Sequence, residues 1–198
     1  HEGGHALVAV LLPNCDPVHK VTILPTGMAL GVTMTLPDEE RHSHTEGYLE
    51  DRLAMMMGGR MAEELIYGEV TNGAADDLSK ATEIARKMVR EWGMSDRIGP
   101  MAWGSSGPVF LGEDWVQTKE YSDDTARIID LEIERILRHA QDRTRHLLHE
   151  NRNGLEMVAR GLLEHETIDG AEVYRLIELG RSMAPPNSHA EPVPTATS

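Results

Sequence analysis

The stretch from His1 to Leu12 constrains this chain more than any other. Ala6-Leu7-Val8-Ala9-Val10-Leu11-Leu12 is an almost unbroken apolar run, and Pro13 stops it. A helix that is apolar nearly all round has to be buried, so other elements must wrap around it. Yet this helix opens with His1, Glu2 and His5. Two imidazoles and a carboxylate at the end of a buried helix are costly unless something compensates them. On a helix, positions i and i+4 share a face and stand about 5–6 Å apart, so both rings can serve one metal ion.

The order His1-Glu2-Gly3-Gly4-His5 fits the H-E-x-x-H pattern, in which two imidazoles hold a tetrahedral zinc ion. Glu2 is offset around the helix, beside the metal rather than on it. A carboxylate there can take a proton from a metal-activated water. A downstream acidic residue is the expected third ligand, and Glu63, Glu64, Asp76 and Asp77 all qualify. Spacing does not choose among them, and the two aspartates have a competing role as partners of helix N-terminal donors. Gly3 and Gly4 each cost about 1 kcal/mol of helix propensity. A helix that starts at residue 1 also lacks a preceding turn, so upstream sequence is expected in the natural protein.

Past the turn Asn14-Cys15-Asp16-Pro17, the alternation in Val18–Leu24 reads as a strand, and Leu30–Leu36 as a second one. Two short strands make a small sheet, whose open edge could capture an extended peptide or serve as a plain structural hairpin. Ser43 with Glu46 forms a capping-box pair opening a helix to about Tyr67, with Gly68 as its stop. Gly58 and Gly59 inside it permit close backbone approach, and the expected neighbour is the first helix. A glycine turn then leads into a helix from Leu78 to Trp92, closed by Gly93. Residues 95–116 are irregular and rich in Gly and Pro, suited equally to a substrate-binding loop and to a packed connector. Three more helices follow: Ser122 to about His149, Leu155 to Leu163, and one capped by Asp169 and Glu172 that ends at Gly180. His139, His146 and His149 read as surface residues. The expected fold is mainly α with a small β-sheet near the active site. Residues 1–182 are expected to form one domain and 183–198 a disordered tail.

With 19 basic and 33 acidic residues the chain carries a formal charge of −14. That argues against nucleic acid as a partner and matches an anionic membrane surface poorly. The single Cys15 allows no internal disulfide and fits a reducing compartment. No apolar run reaches about 18 residues and no signal peptide is present, so this stretch is expected to be soluble.

Several segments match one family. They are His1-Glu2-Gly3-Gly4-His5-Ala6, Ile23 to Gly31, Gly58 to Glu64, Asn72 to Thr82, Trp92 to Ser95, and Glu166-Thr167-Ile168-Asp169. Together they resemble the peptidase domain of FtsH-type membrane-anchored ATP-dependent zinc metalloproteases, in register from His1 to about Gly180. The resemblance implies an upstream membrane anchor and AAA+ ATPase module, and a homo-hexameric ring that unfolds protein substrates and feeds them to the peptidase sites. It also implies a domain facing the cytoplasm or an organelle matrix or stroma. It puts the third zinc ligand on Asp77, beside His1 and His5, and makes Glu2 the water-activating base. Met28, Ala29, Leu30, Gly31, Val32 and Thr33 look like the edge strand that aligns substrate. The family usually has Ala at Gly3 and often Arg at Thr26. No G-x-x-x-x-G-K-[ST] loop occurs, so ATP hydrolysis is not expected of this chain. The rival expectations are a non-enzymatic ring-assembly module and an H-E-x-x-H peptidase that works without ATP.

Overall fold

The first helix, α1 (Glu2–Leu11), buries every residue from Gly3 to Ala9. The computed structural model describes residues 1–25, 27, 30–37, 43–103 and 121–183. Around α1 lie β1 (Val18–Thr22), β2 (Val32–Thr35), α2 (Glu46–Tyr67), α3 (Ala75–Arg90) and α4 (Asp123–Glu150). The chain closes with α5 (Arg152–His165), β3 (Thr167–Asp169) and α6 (Gly170–Arg181). Helices dominate, with one small sheet, as expected from the sequence.

The glycines of α1 and α2 face each other, as the sequence suggested. A Cβ on Gly4 would overlap the Gly58 carbonyl oxygen and stand 2.7 Å from Ala62 Cβ. A Cβ on Gly58 would stand 2.7 Å from the Gly4 carbonyl oxygen, so the two backbones touch. Gly59 makes room in a different way: a Cβ there would lie 2.5 Å from the His1 ring. This crossing seats the His1 end of α1 on the middle of α2.

A buried charge fastens the other end. Asp51 of α2 accepts from Asn14 N–H at 3.0 Å and from Asn14 Nδ2 at 2.9 Å, and pairs with Arg143 of α4 at 2.6 Å. One carboxylate thereby ties the turn after α1 to two helices. Because Asp51 is about 1 % exposed, each of these partners offsets a desolvation cost. Thr144 of α4 adds a bond to the Ala54 carbonyl at 2.8 Å, again joining α4 to α2.

The sheet has the order β2-β1-β3, with both pairings antiparallel. Val21 at its centre faces Thr33 on one side and Ile168 on the other. Only two strands were expected, and β3 corrects that reading. It is three residues long and has one buried side chain, Ile168, too little for any periodicity to show. Two helix starts are corrected too. Thr45, not Ser43, caps α2, accepting from Tyr48 N–H at 3.2 Å. α3 begins at Ala75 after a 3-10 turn over Asn72–Ala74, so Asp76 and Asp77 lie in its first turn rather than ahead of it.

Other signals hold. Gly68 ends α2 in the left-handed conformation at φ +74°, Ser122 caps α4 and Asp169 caps α6. His139, His146 and His149 are exposed. The irregular loop expected over 95–116 is described only to Trp103; the remainder, and the expected tail beyond Met183, lie outside the described residues. Among the described residues no helix is long and apolar enough to cross a membrane.

Candidate metal centre

Two helices meet where α1 begins: His1, the N-cap of α1, stands one turn from His5, and α3 presents Asp77 from its first turn. The His5 Nε2 and His1 Nε2 atoms are 3.2 Å apart, and Asp77 Oδ2 lies 3.3 Å from the first and 3.5 Å from the second. Donors about 2.0–2.1 Å from a tetrahedral zinc ion stand roughly 3.3 Å from one another. The three measured edges have that length, so this trio can hold such an ion.

The outer ring nitrogens decide which lone pairs are free. His5 Nδ1 lies 2.8 Å from the Met55 carbonyl oxygen, which can only accept, so Nδ1 carries the proton. His1 Nδ1 donates to Glu63 Oε1 at 2.7 Å. With both outer nitrogens engaged as donors, the two Nε2 atoms and Asp77 Oδ2 are left facing one another, an arrangement that a cation or a shared proton satisfies.

The electrostatics agree. The Asp77 carboxylate raises the His1 pKa to about 9, overcoming the downward effect of burial, with Glu63 and Glu2 adding to the rise. Burial pushes the Asp77 carboxyl upward, but hydrogen bonds and charge from His1 and His5 outweigh it and hold the group well below the usual carboxylate range. A proton and a metal cation would therefore compete for the same three atoms.

The acidic residues that spacing left tied now separate by position. Asp77 joins the two histidines. Asp76 points outward to Lys80 at 2.6 Å, and Glu64 reaches Arg145 at 3.3 Å. Glu63 sits behind His1, gripped on its other oxygen by the Thr71 N–H and hydroxyl, each at 3.0 Å. Burial raises the Glu63 pKa, yet the bonds from Thr71 and His1 win and keep it ionised. The sequence offered Glu63 as one candidate ligand; in the structure its two oxygens bond the outer nitrogen of His1 and Thr71.

Glu2 lies beside the trio, against the sheet edge. Its carboxylate Oε2 is 2.7 Å from the Thr33 hydroxyl. Of the residues expected to align substrate, Met28 and Ala29, like Thr26, lie outside the described residues. Leu30 is 83 % exposed, Gly31 backs onto Glu2, and Val32 and Thr33 belong to the edge strand β2.

A family model described as peptidase family M41 matches residues 1–176. Among curated relatives, the "ATP-dependent zinc metalloprotease FtsH" of Acidimicrobium ferrooxidans is 60 % identical over 90 % of this chain and 27 % of its own length. Proteins of the same name from Myxococcus xanthus and Nitrosococcus oceani are each 49 % identical over 98 % of this chain, which covers 31 % and 30 % of their lengths. The chain thus spans less than a third of these relatives.

Proposed function

The chain belongs to peptidase family M41, and from that membership we propose that it is the zinc-dependent endopeptidase part of a larger ATP-dependent protease. The observation that carries this reading is the convergence of His1 Nε2, His5 Nε2 and Asp77 Oδ2 with each imidazole's outer nitrogen already committed as a donor. Zinc, when bound, supplies a Lewis acid that makes water nucleophilic near neutral pH and polarises a carbonyl.

The residues of this chain do the rest. His1 and His5 offer neutral nitrogens, and Asp77 contributes a negative charge that offsets part of the cation's. Glu63 and the Met55 carbonyl fix the rings, so that binding does not have to order them. Glu2 accepts the proton of the attacking water at its carboxylate and returns it to the leaving amine. The edge of β2 pairs with an extended peptide through main-chain hydrogen bonds, which suits substrates of varied sequence. Hydrolysis then needs an unfolded segment, because only an extended chain can lie along a strand edge. A homo-hexameric, membrane-anchored and ATP-driven parent that unfolds and processively degrades proteins is the assembly in which such a site works. Its peptidase unit would be residues 1–182, facing the cytoplasm or an organelle matrix or stroma.

The test uses the intact protein with a casein-like substrate. Glu2→Gln is expected to keep bound zinc and abolish cleavage, Asp77→Ala to lose zinc, and a chelator to stop the wild type. Undiminished cleavage by Glu2→Gln would refute the assignment of the base. Zinc retained by Asp77→Ala but lost from Glu63→Ala would overturn the ligand set.

A further inference from the structure

The sequence placed Thr33 on the edge expected to align substrate, but its side chain turns inward to Glu2. The Thr33 hydroxyl lies 2.7 Å from Glu2 Oε2 and 3.1 Å from the Glu2 carbonyl oxygen. It has one proton to give, and the shorter, charge-assisted contact to the carboxylate is the stronger of the two. Two residues earlier, Gly31 serves the same side chain by leaving space. A Cβ there would stand 2.8 Å from Glu2 Cγ and 3.0 Å from Oε1. Along this short stretch one residue makes room for the carboxylate and another holds it. Thr33 is itself held, since it pairs with the buried Val21 of β1.

We propose that Thr33 is a positioning residue for the hydrolytic reaction. Its hydroxyl occupies Oε2 of Glu2 and so presents Oε1 to the water. This rests on the peptidase reading above and goes one step further. A free glutamate has three rotatable bonds and explores many rotamers, and proton transfer needs the acceptor within hydrogen-bond reach of one particular water. A fixed partner that removes this search raises the fraction of encounters that react. Because the partner stands on β2, the strand that would pair with substrate is also the strand that aims the base.

The test is steady-state cleavage of a fluorogenic peptide by the intact zinc-loaded protein. Thr33→Val keeps the shape of the side chain and removes the hydroxyl. It is expected to lower kcat about tenfold, with KM within about twofold, and with zinc content and thermal midpoint unchanged. Thr33→Ser, which keeps the hydroxyl, is expected to restore most of kcat. Wild-type kcat in Thr33→Val would overturn the proposal, as would a defect seen only in KM or zinc content. Should Thr33→Val lower the thermal midpoint, the pair Thr33→Ser and Thr33→Ala decides. Serine well above alanine in kcat supports positioning, and equal values sink it. Glu2→Gln in the same assay separates the two levels. An active Glu2→Gln removes the peptidase mechanism, whereas an inactive one beside a fully active Thr33→Val removes only the role of Thr33.

Discussion

Replacing Gly3 with alanine is expected to stabilise the protein, and the same change one residue later to destabilise it. A Cβ on Gly3 would meet Leu155 Cδ1 at 3.4 Å and Val158 Cγ1 at 3.5 Å, which is contact without overlap. Alanine gains about 1 kcal/mol in helix propensity over glycine. Burying one more methyl against α5 adds roughly 0.8 kcal/mol. Together these give about 1.5–2 kcal/mol, or a rise of roughly 3–8 °C in thermal midpoint for a domain of this size. At Gly4 the same Cβ would stand 2.7 Å from Ala62 Cβ and 2.8 Å from the Gly58 carbonyl carbon, and would overlap that carbonyl's oxygen. None of these atoms can rotate away. α1 must then lift off α2, at a cost of about 1–3 kcal/mol or more that exceeds the propensity gain. The lift also carries His1 and His5 away from Asp77, so zinc affinity should fall with stability. Scanning calorimetry of both variants at one fixed zinc concentration reads the difference, since bound metal itself shifts the midpoint. A lower midpoint for Gly3→Ala, or an unchanged one for Gly4→Ala, would refute this packing of α1 between α5 and α2.

Glu63→Ala removes the acceptor of His1 Nδ1–H and frees the ring to turn. Zinc affinity should drop by about 10–100-fold, measured by competition with a chromophoric chelator, and an unchanged affinity would show that Glu63 orients nothing. Burial, reinforced by Asp51 and Asp16, pushes the Cys15 thiol up to about 12 from its ordinary 9.0. At pH 8 the folded protein should therefore be alkylated by iodoacetamide at least about a hundredfold more slowly than the urea-unfolded chain, and equal rates would contradict it. The folded thiol also holds its proton more tightly than the unfolded one. Its contribution to stability is accordingly complete below about pH 9 and is lost as pH rises towards 12, which urea midpoints compared with Cys15→Ala would expose.

What the sequence showed plainly was whatever rests on local pattern. The apolar run after His5 announced a buried helix, and α1 is buried from Gly3 to Ala9. Gly58 and Gly59 announced a close neighbour, and it is α1. The stop at Gly68 needed only a left-handed glycine after an apolar stretch. What it hid was whatever depends on distant partners. β3 pairs with β1 from the far end of the chain, and Ile168 alone carries its apolar signal. Thr45 and Ser43 are chemically equivalent caps, and only the path of the backbone chooses between them.

The carboxylates around His1 show why ligand assignment is harder still. Glu63 ends up at the outer nitrogen of the ring and Asp77 at the inner one, so both acids touch the same imidazole. What separates them is Thr71, whose N–H and hydroxyl both hold Glu63 Oε2 and thereby commit Glu63 to the outer nitrogen of His1. Asp77 Oδ2 instead faces the two imidazoles. The two acids thus differ in which groups already occupy their oxygens. That is a property of the turn between α2 and α3, not of the acidic side chains, and no spacing rule applied to the acids alone can recover it.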